Sequence, residues 1–199
     1  MLSRMSVTVT ESEDSMGKLL AGLILGMVIF PALALAYVML GLAPAAATAP
    51  PMPFERFLAG TALHNRISRE APQRDLSSFT NQDLIAGADV YKRNCAVCHG
   101  LPPLPAPPIA KAMFPGAPQL LTPEGMITDD AVGVTYWKVR NGIRLSGMPS
   151  FEAVLSDQQK WEVSALLARA DQLPPEAQEA LKPGPAAVIP APAASVHTK

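Results

Sequence analysis

Apolar and polar positions divide the chain into unequal parts. Residues 19–40, LLAGLILGMVIFPALALAYVML, are 22 uncharged and mostly apolar positions, and no charged residue occurs from Leu19 to Phe54. At a rise of ~1.5 Å per residue such a helix covers ~33 Å, enough for a hydrocarbon core of ~30 Å. Pro31 lies near its middle and should kink it, as membrane helices tolerate. Ala34-Leu35-Ala36 and Ala45-Ala46-Ala47 resemble signal cleavage sites. The apolar run is nevertheless longer than a secretory core, and Glu11, Glu13 and Asp14 precede it, which favours an uncleaved anchor. The span holds no ionisable side chain and therefore reads as an anchor without a proton or ion path. Gly22 and Gly26 form a G-x-x-x-G step that lets another helix approach.

Beyond the span, helical periodicity replaces continuous apolarity. Residues 43–53, APAAATAPPMP, predict an extended, semi-rigid spacer. Residues 54–70 predict a moderately amphipathic helix, with Phe54, Phe57, Leu58 and Ile67 either packed on the following domain or resting at a lipid interface. His64 on this helix reads as a surface residue. Three further helices are expected. The first covers Asn81–Asn94, capped by Thr80 or Asn81, with Leu84, Ala88 and Tyr91 at helical spacing. The second covers Asp129–Asn141, capped by Thr128, acidic at its start, basic at its end and stopped at Asn141-Gly142. The third covers Asp157–Ala170, with Ser156 and Gln159 as a capping box and Pro174-Pro175 ending the region. No strand alternation and no internal repeat are visible. The expected organisation is residues 1–18 cytoplasmic, 19–40 transmembrane, 41–79 linker and amphipathic helix, 80–182 a compact all-α domain, and 183–199 a disordered Pro/Ala-rich tail holding His197.

Charge then narrows the options. Sixteen Lys and Arg balance 17 Asp and Glu, which excludes the basic face of a nucleic-acid binder. Two cysteines exclude a disulfide scaffold.

Those cysteines carry the chemistry. Cys95-Ala96-Val97-Cys98-His99 is C-x-x-C-H, the attachment motif of a c-type haem. Two thiols three positions apart can each bond one vinyl group of a porphyrin, and the adjacent imidazole then lies under the iron. Zinc would want four ligands, and a thioredoxin-like pair would want a βαβ context. For the sixth iron position three methionines follow the motif: Met113, Met126 and Met148. Met148 stands in the loop between the second and third helices, flanked by Gly147 and Pro149, and is the expected axial ligand.

With these motifs in place, residues 80–170 resemble a class I (mitochondrial-type) monohaem cytochrome c carrying a membrane anchor. The resemblance implies one covalent haem c held by Cys95 and Cys98, with iron between His99 and Met148. It implies that the first and last helices cross near Gly87 and Tyr91, against Ala165 or Leu166. It also implies that a proline carbonyl binds the other nitrogen of the proximal imidazole, with Pro102, Pro103, Pro105, Pro107 and Pro108 all nearby. Tyr136 or Trp137 would contact a haem propionate. Function is then expected to be single-electron transfer between redox proteins, without catalysis or a small-molecule substrate. The expected location is a bacterial inner membrane, with the haem domain facing the periplasm. A fixed subunit of a larger dehydrogenase or oxidase complex, and a haem sensor with a labile sixth ligand, are the alternative readings.

Overall fold

The computed structural model describes residues 5–125 and 127–183. The expected tail at 184–199 with His197, and the candidate Met126, lie outside the described residues. Among the described residues the protein is all-helical, without strands. It divides into two compact units, one ending at Met52 and one beginning at Pro53.

The first unit is essentially one helix, α1, Met5–Met39, with Pro31 inside it. Its apolar portion, Ser15–Met39, is long and apolar enough to cross a membrane and has no side chain covered by protein. Among side chains 15–40 the large apolar ones are exposed, which in water would be costly and in lipid is not. The helix begins well before the expected Leu19, because the polar residues ahead of the apolar run also favour helix once a turn exists to extend.

The second unit holds α2 (Glu55–Glu70), α3 (Asn81–Asn94), α4 (Ala96–His99), α5 (Pro108–Ala112), α6 (Val132–Asn141), α7 (Asp157–Ala168) and α8 (Pro175–Leu181). Helix α3 starts where the sequence places it. The Thr80 side chain accepts from the Asp83 amide while Asp83 accepts from the Thr80 amide at 2.7 Å, closing a capping box. Its buried stripe, Leu84, Gly87, Ala88, Val90 and Tyr91, lies against α7. The crossing is tightest at Gly87, where a Cβ would run into the Glu162 carbonyl and stand 3.1 Å from Leu166 Cβ. Only a residue without a side chain lets the two backbones approach this closely. Helix α7 shows the predicted Ser156–Gln159 capping box and buries Trp161, Val163, Ala165 and Leu166.

Helix α7 ends at Ala168, two residues short of the expected Ala170, and two larger departures occur. Helix α6 begins at Val132, not Asp129, and Ala131 rather than Thr128 stands at its N-cap. The carboxylate of Asp130 is taken by Lys138 at 2.8 Å, a tertiary ion pair that holds 128–131 in a turn. Pro174-Pro175 does not end the domain. Pro175 opens α8 at a first-turn position, where its missing N–H costs nothing, and Ala177 and Leu181 return to the core beside α3.

A charged and aromatic seam joins α6 to α7. Tyr136 stacks on Trp161 with centroids 4.0 Å apart, and its hydroxyl donates to Asp157. Burial and that carboxylate push the Tyr136 phenol up to about 12. Glu152 accepts from Arg140 at 2.8 Å and from the buried Lys160 at 2.9 Å. These two cations, Lys160 first, hold the Glu152 carboxyl below its ordinary value of 4.5. A depressed carboxyl contributes its stability above the unfolded value and loses it as pH falls through the folded one. Glu152→Gln should therefore lower stability at neutral pH and flatten the loss of stability below the ordinary value of 4.5. Denaturant midpoints measured between neutral and acid pH check this, and an acid limb unchanged by the substitution would refute it.

Candidate functional site

The C-x-x-C-H motif is placed by the end of α3. Cys95 closes α3, its amide donating to the Tyr91 carbonyl at 2.9 Å, and at the same time opens α4. The amides of Cys98 and His99 both donate back to the Cys95 carbonyl, at 3.1 and 2.9 Å. One helical turn thus sets both thiols and the imidazole on a single rigid piece. Gly100 ends it with φ +74, a left-handed conformation suited to glycine, and a Cβ there would strike Gln119 Oε1. Tyr91, fully buried, donates its hydroxyl to the Gly100 carbonyl at 3.0 Å and lies 3.3 Å from that of His99. Burial drives the Tyr91 phenol well above its ordinary range, so it remains a donor at any physiological pH.

Both cysteines are free thiols and half-buried. Burial, then the neighbouring Cys98 sulfur, push the Cys95 thiol up to about 12.

His99 Nδ1 lies 2.8 Å from the carbonyl of Pro118. A carbonyl can only accept, so this bond requires the proton on Nδ1 and leaves Nε2 as the free electron pair. The prolines expected in this role, Pro102, Pro103, Pro105, Pro107 and Pro108, do not supply it. The segment containing them instead leads through α5, and the chain returns to the imidazole only 19 residues after His99. This bond links residues far apart in sequence, and no local pattern marks it.

Met148 is half-buried and packs on the core. Its loop is a closed unit. The Ile143 amide donates to the Met148 carbonyl at 3.1 Å, and the Ser146 hydroxyl accepts from the Met148 amide and donates to the Ile143 carbonyl. Ser150 and Phe151 then tie the loop to α6 by bonds to the carbonyls of Arg140 and Val139, at 2.6 and 3.1 Å. Gly142 is pressed against Pro149 and Ser150. Met113, the other described candidate, lies beside this loop with its sulfur against Gly147.

Tyr136 and Trp137 are committed to protein partners, the hydroxyl to Asp157 and the indole N–H to Glu70 at 3.1 Å. His64 is exposed on α2.

The donor set and its surroundings fit a covalent haem. Two free thiols and an imidazole with one nitrogen committed stand together. Half-covered apolar side chains pack on the core of the same unit, among them Ile85, Leu120, Leu121, Ile127, Met148 and Phe151. Two buried polar atoms, Gln119 Nε2 and Thr135 Oγ1, have no protein partner. Gln119 directly follows the carbonyl that holds His99. Among the described residues no group of three or more His, Cys, Asp or Glu is arranged to hold a metal ion by itself.

The second unit carries C-x-x-C-H at the end of its first core helix and is crossed by its last long helix, an arrangement like that of a cytochrome c domain. Residues 82–167 match the family described as Cytochrome C oxidase, cbb3-type, subunit III, which supports a class I c-type cytochrome. That match implies covalently bound haem c and a haem-based electron-transfer role. No curated protein matches the chain.

Proposed function

We propose that the protein is a membrane-anchored c-type cytochrome that passes single electrons between redox proteins. Cys95 and Cys98 would hold one haem c through thioethers, and His99 Nε2 and Met148 Sδ would ligate its iron. The observation that carries this reading is the conjunction of the C-x-x-C-H turn with the Pro118 carbonyl, which leaves Nε2 as the free nitrogen of His99. Haem, when bound, supplies an iron that changes oxidation state by one electron. The protein's part is to keep everything else still. Tyr91 and Pro118 fix the imidazole, and the closed 143–148 loop fixes the thioether. A soft sulfur favours the ferrous state and raises the potential. With His99 and Met148 both serving as ligands, the iron would have no position left for a substrate.

Helix α1 is the anchor in this reading, spanning a bacterial inner membrane once with the second unit in the periplasm, where c-type haem is attached. A second reading, a fixed subunit of a larger oxidase, is favoured by the matched family, whose description names a subunit. Native electrophoresis after mild solubilisation separates the two, because a fixed subunit migrates with other chains.

The test of attachment is direct. Protein made in a host able to attach haem c should keep its colour through acid–acetone extraction. Cys98→Ser should retain a single thioether, and Cys95→Ser/Cys98→Ser should lose all covalent pigment. A parent protein that loses its pigment to the solvent would end this proposal.

A further inference from the structure

Helix α2 is not needed to build the haem site, and the structure shows how it is used. Its inward face runs through Leu63 and Ile67 to Glu70. Arg56 lies over the Phe114 ring at 5.9 Å, Leu63 is half-buried, Ile67 is buried, and Glu70 accepts from Trp137 at 3.1 Å. Leu58 stands nine positions from Ile67, half a turn around the helix after whole turns, and so faces directly away. At that end Phe54 at the N-cap, Phe57 on a flank about 100° from Leu58, and Leu58 itself are exposed by 76%, 67% and 62%. The rest of the outward side, Thr61, Asn65 and Arg69, is polar. The apolar patch is thus confined to the first two turns.

We propose that these two turns rest in the surface of the bilayer that holds α1, with Phe54, Phe57 and Leu58 at the boundary between headgroups and acyl chains. The inference depends on reading α1 as a membrane span. Three observations select lipid as the occupant. The spacer from Leu40 to Met52 is 13 residues, so the patch stays within about 45 Å of the membrane exit even when the chain is fully extended. That spacer carries no charge that would hold it in bulk water. The apolar end of α2 is the end joined to the spacer, whereas the end bonded to α6 is polar.

The experiment uses the full-length haem protein in vesicles of phosphatidylcholine and phosphatidylglycerol. Leu58→Cys and, separately, Glu176→Cys on α8 introduce one thiol each, and a membrane-impermeant maleimide reads its exposure to water. Unlabelled parent protein confirms that Cys95 and Cys98 are consumed. Leu58→Cys should react about tenfold more slowly than Glu176→Cys, as expected of a side chain held in the interface. Phe57→Cys should behave in the same way. Equal rates in protein that floats with the vesicles would overturn the proposal while leaving the anchor intact. Protein that fails to float would overturn both the anchor and the proposal. Protection found in native membranes but not in pure lipid would assign the patch to a protein partner and overturn the lipid assignment.

Discussion

Met148→Ala should lower the midpoint potential by on the order of 100 mV or more, within the ~0.8 V range that axial ligands command in haem proteins. It should also allow the ferrous protein to bind carbon monoxide. Both effects have one cause. The 143–148 loop is closed on itself and tied to α6, so the thioether is delivered by a rigid frame rather than by a flexible tip. Removing the sulfur leaves that frame intact and a coordination position free. The loss of a soft donor then destabilises the ferrous state relative to the ferric. Redox titration and the absorbance of the reduced protein under carbon monoxide provide the measurement. An unchanged potential with no gas binding would remove Met148 from the iron. The same two measurements on Met113→Ala would then decide for the sulfur that lies against Gly147. Ready gas binding by the unaltered protein would favour the sensor reading instead.

Gly87→Val should cost about 3 kcal/mol of stability or more, since over-packing alone typically costs 1–3 and a β-branched residue adds rotamer restriction. The obstacle at Gly87 is the Glu162 carbonyl, a backbone group inside α7 that cannot swing aside. Relief requires α3 and α7 to separate, which would uncover Leu84 and Leu166, both fully buried. Gly60 on α2 gives the internal contrast. Nothing lies within 4 Å of a Cβ there, so Gly60→Ala should stabilise by about 1 kcal/mol, the ordinary helical preference for alanine. Denaturant unfolding of both variants tests the pair together. A destabilisation at Gly87 no larger than that at an exposed helical site would mean that the crossing is looser than described.

The parts legible in the sequence are those whose cause is local. Thr80 with Asp83 and Ser156 with Gln159 are capping boxes written within four residues, and α3 and α7 begin where they indicate. The Cys95–His99 turn is equally local. The departures arise where distant groups decide. Asp130 reads as a first-turn acid until Lys138 takes it, and α6 starts three residues late. Pro174-Pro175 reads as a stop, but Ala177 and Leu181 have a core to enter, and a proline at a helix start is no obstacle. Pro118 is the sharpest case. The five prolines expected in this role, Pro102 to Pro108, lie nearer to His99, and the carbonyl that serves comes from beyond α5.

That carbonyl has a consequence for how the protein can be tuned. Donation from Nδ1–H makes Nε2 a stronger base, which in the proposed ligation would oppose the pull of the Met148 sulfur. The acceptor is main chain, so no side-chain exchange at position 118 deletes it, and only a change in the path of the polypeptide can. In the proposed ligation the imidazole side would therefore be buffered against drift in the electrochemistry, and point substitution would retune it chiefly at Met148.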